Sequence, residues 1–244
     1  MSILRKLLIT ILVLALWEAL GAAGILNPML VGTPSMIARA AMKDGTTFLI
    51  ASRFTLVEIL SAGAIAWTLG ISAGVIIGAR ATSALIISPL LSAMIAVPLV
   101  VLYPVIVAWT GIGPTSKIIY GAATGFFPIA LTTISGVSAI DRRFVDMARA
   151  MGANTAQVIF QVMARLALPA IMSGLRIGSS LLIIAVVQSE MLSATDGLGF
   201  WISYHRSLFN VGQVYFGICL VLVLAAGLNG LLNYCERRLR LQTA

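Results

Sequence analysis

Long apolar runs separated by short polar stretches fill this chain. The runs cover residues 7–25, 54–78, 85–109, 118–139, 169–193 and 211–234. A helix rises roughly 1.5 Å per residue, so about 20 apolar residues cross a hydrocarbon layer about 30 Å thick. The pattern therefore predicts six transmembrane helices. The first run follows Arg5 and Lys6 and ends near Gly21 and Ala23, which is also the layout of a signal peptide. Its nineteen residues suffice to span, and it is read as the first transmembrane helix. Between the first two runs the composition is mixed, and Thr33-Pro34 can open a short extracytoplasmic helix over 36–42. Gly63, Gly70, Gly74 and Gly78 in the second run allow close helix contact. Pro89, Pro98 and Pro104 predict a kinked, interior-facing third span.

One stretch, 141–178, breaks the pattern with charge, a Gly and an Asn. Asp141 is a good N-cap for a short helix in which Phe144, Met147, Ala148 and Met151 make one apolar stripe. Arg142, Arg143, Asp146 and Arg149 take its other side. Gly152 supplies the left-handed position that ends a helix, and Asn154 or Thr155 can cap a second one. That second helix carries Val158, Ile159, Val162, Met163 and Leu166 and should stop before Pro169. By these residues alone the pair either lies on anionic lipid or presents a helix to a groove on a soluble partner.

Composition narrows the class. Hydrophobic residues make up 60% of the chain and charged ones 10%, with a mean hydropathy of +1.05. That is more apolar surface than a soluble core takes, so the expected fold class is all-α and polytopic, one membrane domain over 1–244. The net charge of +8 is spread between the spans rather than gathered on one face, which excludes a nucleic-acid partner. With six spans and an inner N-terminus, ten Arg and Lys fall on the cytoplasmic side and five outside. Both termini and the 141–168 loop are thus expected in the cytoplasm. Cys219 and Cys235 are sixteen positions apart on one helix and cannot pair within the chain. His205 stands alone in the polar stretch 194–210 and reads as a surface residue.

No catalytic constellation is visible, and the turn at 109–117, WTGIGPTSK, is not a Walker A because Lys117 follows Ser116. The chain is therefore not expected to be an enzyme. Ionisable residues within spans are costly and functional by default. Glu18 and Glu58 have the alternative of pairing with a base, and Glu190, with Gln188, belongs near the outer face as a gate or as a partner for a neighbouring helix. On the fifth span Ser173, Arg176, Ser180 and Gln188 share a sector of about 120°, opposite Ile171, Leu182 and Val186. These polar residues and Glu190 are candidates for a translocation path; the serines alone could instead serve close packing.

Several of these motifs resemble the membrane subunits of binding-protein-dependent ABC importers. Asp146-Met147-Ala148, then Gly152, then Leu168-Pro169 are similar to that family's EAA loop. GLRIG at 174–178 resembles the branch that handles nitrate, sulfonates and taurine, and WTGIGPTSK is similar to the family's corresponding turn. Asp146 replaces the family's Glu, Met147 its first Ala, and Ala164-Arg165 an earlier Leu-Pro. LGISAG at 69–74 lacks the family's Pro, and Glu58 stands where the family carries Arg. The resemblance implies a type I ABC importer permease in the cell inner membrane, with no cofactor of its own. It implies that two ATP-binding subunits dock on Phe144, Asp146, Met147, Ala148, Met151 and Gly152. A second copy or a paralogous permease would complete the path, with membrane lipid around it, and an extracytoplasmic solute-binding protein would deliver a small polar, anionic solute. A vitamin precursor or an aromatic acid is the alternative within the branch. A secondary transporter driven by an ion gradient is the alternative outside it, kept open by Glu18, Glu58 and Glu190 but lacking a visible half-to-half repeat.

Overall fold

A computed structural model describes residues 3–243, and every regular element among them is helical. Four stretches are long and apolar enough to cross a membrane: α2 (Pro34–Gly78), α5 (Pro114–Ser138), α9 (Leu168–Leu192), and Val211–Tyr234 within α11 (Val211–Thr243). Two further pieces, α3 (Ala81–Ala96) and the segment Leu99–Thr110, meet at 79° and together are long and apolar enough for a broken span or a re-entrant loop. That segment is a 3-10 turn, Leu99–Leu102, followed by α4 (Tyr103–Thr110). The sixth expected span is α1 (Ile3–Ala22), in which every 18-residue window contains Arg5, Lys6 and Glu18. The protein is thus all-α and polytopic.

Two expectations change. The short helix over 36–42 and the second span are one 45-residue helix, α2, about 68 Å long. Gly45 does not interrupt it, because one Gly costs only about 1 kcal/mol in a helix that its neighbours continue. The third span is broken rather than kinked. Val97 precedes Pro98 and takes an extended conformation (φ −72°, ψ 128°), as the proline ring demands of the residue before it. Pro89, by contrast, sits inside α3. Ala84 is the only buried residue of α3, so most of this helix is exposed in the single chain.

The described chain divides into two compact units. One combines the described part of Met1–Thr55 with Glu190–Val223, the other Leu56–Ser189 with the described part of Leu224–Ala244. In the larger unit α5 lies against α2 and α9 through glycines. A Cβ at Gly70 would come 2.8 Å from Ile129 Cγ2, one at Gly78 would come 2.8 Å from Val137 Cβ, and one at Gly74 would collide with Thr133. From α9, a Cβ at Gly178 would collide with Ile129. The smaller unit centres on Phe48, which packs with Trp201, His205 and Phe216. His205 is therefore not a surface residue. The stretch 194–210 contains α10 (Leu198–Ser207), and the i, i+4 spacing of Trp201 and His205 turns both rings onto Phe48. Burial pushes the His205 imidazole below its usual pKa, partly offset by the nearby Asp44 carboxylate. Cys219 is free, and the side chain of Cys235 lies outside the described residues.

Candidate functional site: the coupling segment and the polar face of α9

The segment after α5 is built by local capping. The Asp141 side chain accepts from the Arg143 N–H at 2.9 Å and starts α6 (Arg142–Ala150). Gly152 ends it at φ +86°. Its N–H donates to Arg149 O (2.9 Å), and the Ala153 N–H donates to Ala148 O (3.0 Å), the paired bonds of a Schellman closure. Asn154 then caps the next helix reciprocally with Gln157, at 2.9 and 2.8 Å. That helix runs as α7 (Thr155–Gln157), a π stretch (Val158–Met163) and α8 (Ala164–Leu166). It ends before Pro169, as its sequence requires. The π stretch was not legible in advance; nothing in its residues marks it.

The apolar stripe expected on α6 divides. Phe144, Met147 and Met151 are 47%, 58% and 85% exposed. Ala148 instead turns partly inward with Val145 and Ala153, against the core that includes Val158, Met163 and Ala167. Asp146 is exposed on the opposite face of the helix. Three large apolar side chains thus stand outward on a helix whose charged residues point elsewhere. Burying one such side chain is favourable by about 1.5–3 kcal/mol, so this face is suited to a lipid surface or to a partner's groove.

Along α9 the expected apolar side is buried, whereas the exposed side mixes polar residues with Ile177, Leu181 and Ile184. Ile171, Leu182 and Val186 are buried, while Ser173, Arg176 and Gln188 are exposed and Ser180 is half-buried. Arg176 forms an ion pair with Glu236 of α11. Ser180 Oγ donates to Arg176 O at 2.9 Å and lies 3.4 Å from Asn229 Oδ1. The Tyr120 hydroxyl donates to Gln188 Oε1 at 3.1 Å. Asn229 and Glu236 were not anticipated, yet they are seven residues apart on an apolar helix, a spacing that repeats one face after two turns.

Glu190 does not join this group. It is buried in the smaller unit, where it accepts from Thr55 Oγ1 and from the Gly199 N–H, each at 2.8 Å. Thr55 Oγ1 in turn accepts from the Leu198 N–H at 2.8 Å. The carboxylate therefore meets one N–H of the first turn of α10 directly and a second through Thr55, at a helix terminus that favours negative charge. Gly197, at φ +107°, makes the approach possible, since a Cβ there would collide with that carboxylate. The other acid of uncertain role, Glu58, pairs with Lys117 in the larger unit, both sealed from solvent. Glu18 Oε2 accepts from the Ser35 N–H at 2.9 Å.

Known proteins share this architecture. A chain of the MetNI methionine ABC transporter, solved in inward-facing conformations, superposes with a TM-score of 0.62 over 88% of this chain and 98% of its own, at 21% identity. The overall arrangement is the type I ABC importer permease fold. A Bacillus subtilis (strain 168) protein named as the aliphatic sulfonates transport permease SsuC is 26% identical over 97% of this chain and 86% of its own length. The taurine transport system permease protein TauC of Escherichia coli (strain K12) is 33% identical over 76% of this chain and 67% of its own. The riboflavin transport system permease protein RibX of Chloroflexus aurantiacus is 33% identical over 63% and 57% respectively. The family described as binding-protein-dependent transport system inner membrane component matches residues 66–241. The chain belongs to that family, as a multi-pass inner-membrane permease subunit of an ABC importer.

Proposed function

We propose that residues 1–244 form one permease domain whose 141–168 segment docks into a separate ATPase subunit, and that the exposed polar face of α9 lines the path. Two ATPase subunits and a second permease copy or a paralogue complete the assembly, and an extracytoplasmic binding protein supplies solute. ATP is bound by the partner, so the chain itself is not a catalyst. The observation that carries this reading is the outward set Phe144, Met147 and Met151, held in place by caps at Asp141 and Gly152. The solute is a small polar anion of sulfonate or taurine type. Two of the relatives are named for such solutes, and Arg176 offers a cation on the proposed path. A vitamin-type solute is the second reading, favoured by the relative named for riboflavin.

Both termini and α6 are cytoplasmic. Since Lys117 is sealed against Glu58, it leaves the outer tally of basic residues, and the bias becomes ten against four (5 − 1). Met147→Glu places a charge in the proposed groove without touching the core. It should abolish co-purification of the ATPase subunit and solute-stimulated ATP hydrolysis while the permease still inserts. Retention of both would return α6 to the lipid surface.

A further inference from the structure

Behind the outward face of α6 lies a cavity of about 360 Å3. It is bounded by the turn from α2 into α3, by the end of α5, and by α6 and α7. Arg142, Asp146 and Arg149 fall at i, i+4 and i+7, so one face of α6 brings all three to it. Arg80 joins them from the α2–α3 turn. Among the described residues none of these four forms an ion pair. Three guanidinium groups against one carboxylate leave the cavity with a net charge of +2 (3 − 1).

The backbone adds to this. The sixteen-residue α3 begins at Ala81, in the cavity wall, and no side chain caps it. The N–H groups of its first turn are therefore available to an anion. Val137, Val158 and Ile159 make an apolar wall beside these groups. Arginine forks match phosphate oxygens in pairs, and they suit phosphate better than a point charge does. The ends of α2 and α5, both long enough to span, place the cavity at a membrane boundary, where basic pockets between helices take lipid headgroups.

We propose that this cavity is a binding site for a phosphate-bearing anion, held by Arg80, Arg142 and Arg149 with the α3 N-terminus. An anionic phospholipid headgroup and free phosphate are the two sources of that chemistry. The bound anion would fix the charged face of α6 to the α2–α3 turn, so that the docking face is presented in one orientation. The site does not depend on which solute is carried.

The test uses the full-length chain purified with its ATPase subunit and stripped of lipid. It is titrated with short-chain phosphatidylglycerol, with short-chain phosphatidylcholine and with inorganic phosphate, and bound molecules are counted by native mass spectrometry. One phosphatidylglycerol or one phosphate per permease chain is expected. Arg80→Gln and Arg149→Gln should each weaken it about tenfold, the loss of one charge-assisted bond. Arg143→Gln removes the same charge from the same helix but lies outside the cavity and should change nothing. Phosphatidylglycerol that phosphate cannot displace identifies a lipid site, whereas displacement at equal arginine dependence identifies a site for the free anion. The proposal fails if neither probe binds, if phosphatidylcholine binds as tightly as phosphatidylglycerol, or if Arg143→Gln costs as much as Arg149→Gln. Each single variant decides the matter without the other, so one that does not assemble leaves the test intact.

Discussion

Among the described residues, two ion pairs join helices within the larger unit. Lys117 and Glu58 are each about 3% exposed, whereas Arg176 keeps 46% of its side chain accessible and Glu236 12%. The two pairs have similar chemistry in unlike surroundings. Taking both charges out of water costs several kcal/mol per ion, and the attraction regained inside barely offsets it. A sealed pair is therefore poor adhesive but strict about position, because either charge left alone is intolerable. Lys117 lies in the first turn of α5 and Glu58 in α2, so the pair fixes where α5 starts against α2. The half-exposed pair pays less to form and less to break. It can open and close near other charges.

That contrast can be broken first at its rigid end. Lys117→Met strands the Glu58 carboxylate and should cost about 3–5 kcal/mol, seen as loss of the folded permease from membranes. Adding Glu58→Leu should restore much of the yield, because a well-packed apolar pair replaces a buried ionic one at little net cost. If Lys117→Met alone accumulates normally, the pair is not architectural. Next comes Ser173→Trp, on the exposed face of α9 and clear of the contacts with α11. Uptake should fall to background while the ATPase still co-purifies and hydrolyses ATP at its basal rate; normal uptake in an assembled complex would remove this face from the path. The smallest effect belongs to Glu236→Gln. Thermal stability should shift by no more than about 1 kcal/mol. The half-saturating concentration for an anionic solute should fall a few-fold, since Arg176 is freed. No change in saturation would show that Arg176 never meets the solute.

Much of the coupling segment was legible because it is built from neighbours in sequence. Asp141, Gly152 and Asn154 do what their side chains and backbone freedom allow within four residues, and no distant contact overrides them. The buried face of α9 was legible for a related reason: Ile171, Leu182 and Val186 share one side of a long regular helix. What escaped reading was pairing across distance. Glu58 meets Lys117 from 59 positions away, and Arg176 meets Glu236 from 60, and no local pattern names the partner. Ala148 escaped for a subtler reason. It lies on the edge of the apolar stripe, and only the position of the core decides that it turns in while Met147 turns out. The buried His205 is a case where a tertiary neighbour, Phe48, rather than a polar context, set the outcome.

The glycine contacts between α2, α5 and α9 bear on how force would travel through this subunit. Gly70, Gly74 and Gly78 are each matched to one bulky side chain of α5, and Gly178 is matched to Ile129 from the other side. Sliding one helix along another by a single residue would drive a Cβ into backbone or branched carbon, so small shears are sterically barred. Such a trio behaves as a girder: it yields by tilting as a block, never by creeping. A push on the 141–168 segment would then meet little room for side-chain rearrangement inside the larger unit. A displacement at the far ends of these helices would then be set by how the block tilts rather than by softness of packing.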